Sequence, residues 1–290
     1  MSEESILVIG ATGTIGQVVV RRLVEKEKQV KAATRFPERY PAQPQVTPAY
    51  FDYTKQETYA PAMKNASKIF ALTGTAGMGL TRSFEPFIEQ AKLSGIKHMV
   101  VCTTVPMLRP DGKMHVLDSV ECPLIDSGIP YTLLRIGWLM QSFYDTFFFS
   151  MIQEDGVIRL PAEDARIALI DGRDIGRTAA AVLTEVGHHN KAYPMIGNEL
   201  LSLADVAAII SQVSGRTVRY EHTPLEDRGQ NVVDVGGGVE PYPIEELNLF
   251  FSTVRLGGYA HVASTVKEIT KRPPTKFVDF AHEHASVWRQ

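Results

Sequence analysis

Short continuous apolar runs alternate with amphipathic stretches over the first half of the chain. The run SILVIG, residues 5–10, predicts a buried strand. Beyond it, Ile15, Val18, Val19 and Leu23 recur at helical spacing over 14–27. Further strands are predicted over 29–35, 47–52, 67–74, 97–104 and 130–137. Helices are predicted over 81–94, closed by Gly95, and over 114–127, ending at Gly128. The strand runs lack strict alternation, so both of their faces should be covered. Strands alternating with helices give β-α-β units and a parallel sheet. The expected fold class is α/β, with a doubly wound parallel sheet.

The rhythm changes after about residue 140. FYDTFFFSMI, 143–152, is aromatic-rich and carries no clear period. Helices are expected over 171–185 and 202–215, the second with Ser202 as N-cap, Asp205 in its first turn and Gly215 past its end. Strands are expected over 191–197 and 216–223, a Gly/Pro loop over 234–243, and then another helix. The pattern divides the chain into a nucleotide-type domain, 1–150, and a smaller mixed α/β domain, 151–290. Elements near 165–200 should return to the first sheet.

Between the first strand and first helix stand Gly10, Gly13 and Gly16. A tight turn from strand to helix favours glycine, and a side chain at Gly13 would hold a phosphate away from the backbone. The helix N-terminus offers free N–H groups to an anion, and Thr12 and Thr14 add hydroxyls. Gly10, Thr12, Gly13, Thr14, Ile15 and Gly16 are therefore the candidates for a pyrophosphate cradle in a Rossmann-type domain. The second strand ends at Thr34-Arg35, with no carboxylate for a ribose 2′-OH. Arg35 suits a 2′-phosphate instead, with Arg39 or Lys31 as possible helpers, so NADP(H) is expected over NAD(H).

Charge and composition narrow the function classes. The 290 residues carry 30 basic and 33 acidic side chains without a basic stripe, which gives nucleic-acid binding little support. No apolar stretch approaches a bilayer's thickness, and the start MSEES does not read as a secretory signal. The two cysteines, Cys102 and Cys122, make neither a disulfide framework nor a zinc site. A cytoplasmic protein is expected, with a small-molecule partner and room for a homo-oligomer.

The spacing G-x-x-G-x-x-G resembles that of atypical short-chain dehydrogenases/reductases. GATGTIG, VKAATR, FDY and DSVECPLIDSGIPYTLLRIGWLMQSFY together resemble the NmrA-like family from residue 5 to about 225, and KRPPTKFVDFAHEHASVWR is similar to the ending of its bacterial members. That family holds quinone, triphenylmethane-dye and azo-dye reductases, and also redox-sensing regulators. The resemblance implies that Asp52 contacts the adenine amino group, flanked by Phe51 or Tyr53; a plain turn or cap role for Asp52 is the alternative. It also implies that Thr73 and Gly74 pass the central riboses, and that Thr103 and Ile136 lie along the cofactor.

The catalytic pair Tyr-x-x-x-Lys is absent: none of the tyrosines has a lysine four residues on. Tyr131 is followed by Arg135, on a strand where packing is expected. Related reductases place a helix lysine four residues before the glutamate matching Glu121, where this chain has Leu117. Two readings follow. One is an NADPH-dependent reductase of conjugated aromatic acceptors, quinone or azo, whose delocalised product needs no strong protein acid. The other is a non-catalytic NADP(H) sensor acting through a protein partner. Epimerase work on a nucleotide sugar is opposed by the missing pair.

The acceptor pocket is expected at the carboxyl ends of the strands. Thr104 and Val105, after the fifth strand, and Trp138, after the sixth, are its candidate residues. Tyr144 joins them, with Phe143, Phe147 and Phe148 as further candidate walls; core packing is the competing role for these rings. His115 is the candidate proton donor, set against a plain surface histidine at a helix start. No metal site is expected: HEH at 282–284 lacks metalloprotease spacing, and no Gly-x-Ser-x-Gly element is present.

Overall fold

In the computed structural model the first apolar run forms β1 (Ser5–Ile9), buried along its whole length. The structure describes residues 4–73, 81–108, 114–115, 118–145, 147–224, 232–233 and 242–289. After β1 come α1 (Thr14–Glu25), β2 (Val30–Thr34), β3 (Val46–Tyr50), α2 (Tyr59–Met63), β4 (Ala66–Leu72), α3 (Thr81–Leu93) and β5 (His98–Thr104). Then follow β6 (Met107–Leu108), β7 (Met114–His115), α4 (Asp118–Asp126), β8 (Tyr131–Ile136), α5 (Phe147–Asp155) and β9 (Val157–Leu160). The chain continues through α6 (Gly172–Thr184), β10 (Lys191–Met195), α7 (Leu203–Ser214), β11 (Arg219–His222), β12 (Val232–Val233) and β13 (Tyr242–Pro243). It ends with α8 (Ile244–Arg255), α9 (Thr265–Thr270) and α10 (Phe277–Glu283).

Seven strands form one sheet in the order β10-β8-β5-β4-β1-β2-β3, and every neighbouring pair is parallel. Period-two alternation sends successive side chains to opposite faces. Val8, Ala32, Phe70, Val100 and Leu134 pack with Val19 and Leu23 of α1 and Ile175 and Ala179 of α6. Leu7, Ala33, Ile69, Val101 and Leu133 pack with Phe84 and Phe87 of α3 and Val120 and Leu124 of α4. Both faces are thus covered, which is why these strands read as unbroken apolar runs. The strand order reverses between β1 and β4, where a doubly wound sheet opens a crevice at its carboxyl end.

A third core lies in the later part of the chain. Trp138, Phe143, Ile152, Leu160, Val206, Ile210, Phe251, Phe277, Phe280 and Trp288 are buried together there. The parallel pair β9–β11 belongs to this region. Helix α7 carries the expected capping box: Ser202 Oγ accepts from the Asp205 N–H at 3.1 Å, and Asp205 Oδ2 accepts from the Ser202 N–H at 2.9 Å. Both α6 and β10 pack with the first sheet although they lie past residue 165.

Two local expectations differ from the structure. The helix expected from 114 starts at Asp118, because Met114–His115 pairs antiparallel with Met107–Leu108 and so takes up an extended backbone. Helix α5 begins inside the aromatic-rich stretch 143–152, and strand β9 follows it in residues for which no element is expected. An apolar run that is hydrophobic all round hides its period. Most of the Gly/Pro loop at 234–243 lies outside the described residues; its last two residues form β13.

Candidate functional site

The turn between β1 and α1 uses its glycines for different reasons. Gly10 has φ +74°, the left-handed region open to glycine, and its carbonyl accepts from the Gly13 N–H at 3.0 Å. At Gly16 a Cβ would stand 2.0 Å from the Gly10 carbonyl oxygen, so the first turn of α1 can lie against the end of β1 only with glycine there. Gly13 is unlike both. Its φ of −85° and ψ of 169° suit any residue, and an added Cβ would meet nothing closer than the Gly10 oxygen at 3.5 Å. The fold makes no demand for glycine at 13. A ligand lying on the exposed face of Thr12, Gly13 and Thr14 would. Gly13 is also the N-cap of α1, with no side chain capping the helix, so the first-turn amides are left for an outside acceptor. Ile15 and Gly16 are buried beneath this surface.

Arg35 follows β2 and is exposed, with no hydrogen-bond or ion-pair partner among the described residues. Its proposed helpers are engaged elsewhere. Lys31 Nζ donates to the carbonyls of Pro61 and Lys64 at 3.2 and 2.9 Å, and Arg39 lies over the Phe36 ring at 4.7 Å. Asp52 forms a side-chain turn: its Oδ1 accepts from Thr54 N–H at 2.9 Å and from Thr54 Oγ1 at 2.8 Å. Partial burial pushes its carboxyl up, but the Thr54 hydrogen bonds and the charges of Lys55 and Arg35 outweigh this and hold it below its ordinary value. Phe51 is buried in a ring cluster with Tyr53, Tyr59 and Phe87, so it belongs to the core and not to a ring-binding surface. Thr73 is buried, its hydroxyl donating to the Cys102 carbonyl at 2.8 Å. Gly74 lies outside the described residues.

At the carboxyl end of β5 the Thr103 hydroxyl donates to Glu121 Oε1 at 2.8 Å. Arg135, from β8, grips the same carboxylate through Nε at 3.1 Å and Nη2 at 2.6 Å. Glu121 is buried, and its hydrogen bonds raise the guanidinium's affinity for its proton. Beside this pair opens a cavity of about 380 Å³, lined by Val105, Pro106, Arg135, Pro194, Ile196 and the Gly257–Gly258 turn among others. Val105 is fixed there by its N–H donating to the Ile136 carbonyl at 3.0 Å. Thr104 is half-buried next to it, and Ile136 packs into the core under α1 and α6.

Not all the expected pocket residues meet. Trp138 is 5% exposed, its ring 5.1 Å from Phe250 and 5.6 Å from Phe148, inside the third core. Tyr144 stacks on Phe280 at 5.5 Å and lies 4.6 Å from His284. Neither lines the cavity beside Val105. His115 belongs to β7, opposite Met107. Burial pushes the Cys102 thiol up, so it is not a nucleophile at neutral pH. Among the described residues no group of three His, Cys, Asp or Glu is placed to hold a metal ion.

Residues 2–266 match the model of the NmrA-like family. The chain belongs to the NmrA-like family. It is 32% identical to the NAD(P)H azoreductase of Xenophilus azovorans, covering 98% of this chain and 99% of that protein. It is 28% identical to Quinone oxidoreductase 2 of Escherichia coli over 80% of this chain and 82% of the relative. Among solved structures, Citrobacter sp. triphenylmethane reductase complexed with NADP(H) superposes with a TM-score of 0.76 at 22% identity, covering 97% of this chain and 99% of the other. At that identity the likeness establishes the fold.

In this NmrA-like chain the Arg135–Glu121 pair and the cavity residues Pro194, Ile196 and His261 carry no motif that marks them in the sequence. One signal was present: Arg135 is the only charged residue in the strand YTLLRI. A charge within an otherwise apolar, covered strand needs a partner.

Proposed function

We propose that this chain is an NADPH-dependent reductase of a quinone, azo or other conjugated aromatic acceptor, working in the cytoplasm without a Tyr-x-x-x-Lys pair. Gly13 carries the cofactor half of this reading: a glycine that the fold leaves free, at an uncapped helix start. The relatives named as NAD(P)H azoreductase and quinone oxidoreductase support the reaction class. NADPH supplies a hydride when bound. The amides at Thr12 to Ile15 hold the pyrophosphate, and Arg35 takes the 2′-phosphate by charge-assisted hydrogen bonds. Asp52 faces the adenine, and Gly74 and Ile136 line the path of the riboses and nicotinamide, with the buried Thr73 and Thr103 tying the strand ends that carry it. Thr104 and Val105 border the acceptor, with Trp138 and Tyr144 acting from the neighbouring core. His115 or solvent returns the proton, since the delocalised product anion needs no strong acid.

The test follows NADPH absorbance against a panel of quinones, azo dyes and triphenylmethane dyes. Turnover with a panel member is the expected result. Tight NADP(H) binding with no turnover across the panel would favour a sensor that signals through a protein partner, a role compatible with the missing Tyr-x-x-x-Lys. No heat of binding with either nicotinamide phosphate form would end both readings.

A further inference from the structure

The cavity beside Val105 has an unusual charge balance. It is mostly apolar, walled by Pro106, Pro194, Ile196 and Leu256, with Leu256 52% exposed. Among the described residues Arg135 brings the only permanent charge to the lining. Its Nε and Nη2 are committed to Glu121, and among the described residues Nη1 has no partner. Glu121 is itself 2% exposed and held by Thr103, so it cannot swing away. The cavity therefore presents one N–H donor edge from an ion pair that is already neutral, beside the exposed His261 ring of the same lining.

That balance discriminates among ligands. An anion entering the cavity gains one hydrogen bond but must shed its hydration and approach the fixed Glu121 carboxylate. A cation gains nothing from the guanidinium, which cannot accept. A neutral carbonyl oxygen loses little hydration and receives a charge-assisted hydrogen bond. The geometry points to a binding site for neutral, planar, carbonyl-bearing ligands, in which Arg135 Nη1 donates to the ligand oxygen and Glu121 sets the charge balance that turns anions away. This takes the cavity as the acceptor site of the proposed reductase and so rests on that reading. It chooses neutral ketones and quinones over anionic dyes.

Calorimetry on the full chain with three probes sharing one ring system tests it: 2-acetylnaphthalene, 2-naphthoate and naphthalene. The ketone should bind about tenfold or more tighter than either of the others, the scale of one hydrogen bond from a charged donor. Ala192→Phe, on the exposed edge of the cavity opposite Leu133, should remove ketone binding. The double variant Glu121→Gln/Arg135→Met should bring the ketone down to the affinity of naphthalene. Naphthoate binding as tightly as the ketone would overturn the proposal, as would a ketone affinity unchanged in Ala192→Phe. Should the double variant fail to fold, the wild-type ratio and Ala192→Phe still decide. NADPH titrated into the same wild-type sample separates the two ideas: heat with NADPH and none with the ketone defeats this inference alone, and ketone binding without NADPH binding defeats the reductase reading.

Discussion

Arg135 and Glu121 join β8 to α4 through two parallel hydrogen bonds, Nε to Oε1 at 3.1 Å and Nη2 to Oε2 at 2.6 Å. Thirteen intervening residues carry the chain from one to the other, yet neither side chain makes sense without its partner. The guanidinium side chain is 31% exposed and the carboxylate 3%, so the carboxylate bears most of the desolvation cost.

Removing only the cation should therefore be costly. Arg135→Ala leaves Glu121 buried and without its counter-charge, and should lower unfolding free energy by roughly 2–4 kcal/mol in urea titrations. Replacing both residues, Glu121→Leu with Arg135→Leu, should lose far less. A single variant as stable as the parent would mean that water reaches Glu121 freely.

The glycines make opposite forecasts. Gly16→Ala should destabilise the protein by roughly 2 kcal/mol or more, because backbone stands 2.0 Å from the new Cβ. Gly13→Ala should change stability by no more than about 0.5 kcal/mol. It should nevertheless weaken NADPH binding more than about tenfold by standing between the backbone and the pyrophosphate. Thermal melts and calorimetry on the two variants check this, and unchanged NADPH affinity in Gly13→Ala would remove the cradle.

Arg35 should act on one phosphate. Arg35→Ala is expected to weaken NADPH by about ten- to a hundredfold, the scale of a lost charge-assisted hydrogen bond, with NADH nearly unaffected. Because Arg35 is exposed, the NADPH loss should shrink as salt rises. Equal losses for the two cofactors would take the 2′-phosphate away from this residue.

His98 predicts a pH dependence. It is buried at the start of β5, with Nε2 2.9 Å from Thr132 Oγ1 and Nδ1 without a hydrogen-bond partner. Burial, reinforced by His189 and Lys68, pulls its pKa from 6.5 down to about 3. The unfolded chain thus binds a proton below pH 6.5 that the folded chain refuses. Stability from this residue is complete above 6.5 and falls as pH drops toward 3, by about 2 kcal/mol at pH 5. Denaturant titrations of the parent and His98→Gln at pH 7.5 and 5 isolate that share. A stability difference that stays constant between the two pH values would refute it.

Much of the first sheet was legible because its signals are local. Strand runs, the helical spacing of Ile15, Val18, Val19 and Leu23, and the capping pair Ser202–Asp205 each depend on neighbours a few residues away. Signals failed where local preference was ambiguous. The all-round aromatic stretch hid α5, and pairing of Met114–His115 with Met107–Leu108 overrode a helical pattern.

The sequence by itself determined the alternation of strands and helices and the glycine turn, since backbone sterics and side-chain periodicity act over a few residues. Only the tertiary structure decided which glycine the fold leaves free, where Trp138 lies, and which carboxylate meets Arg135. Those outcomes depend on close packing and charge pairing between segments far apart along the chain, for which no short stretch of sequence carries a signal.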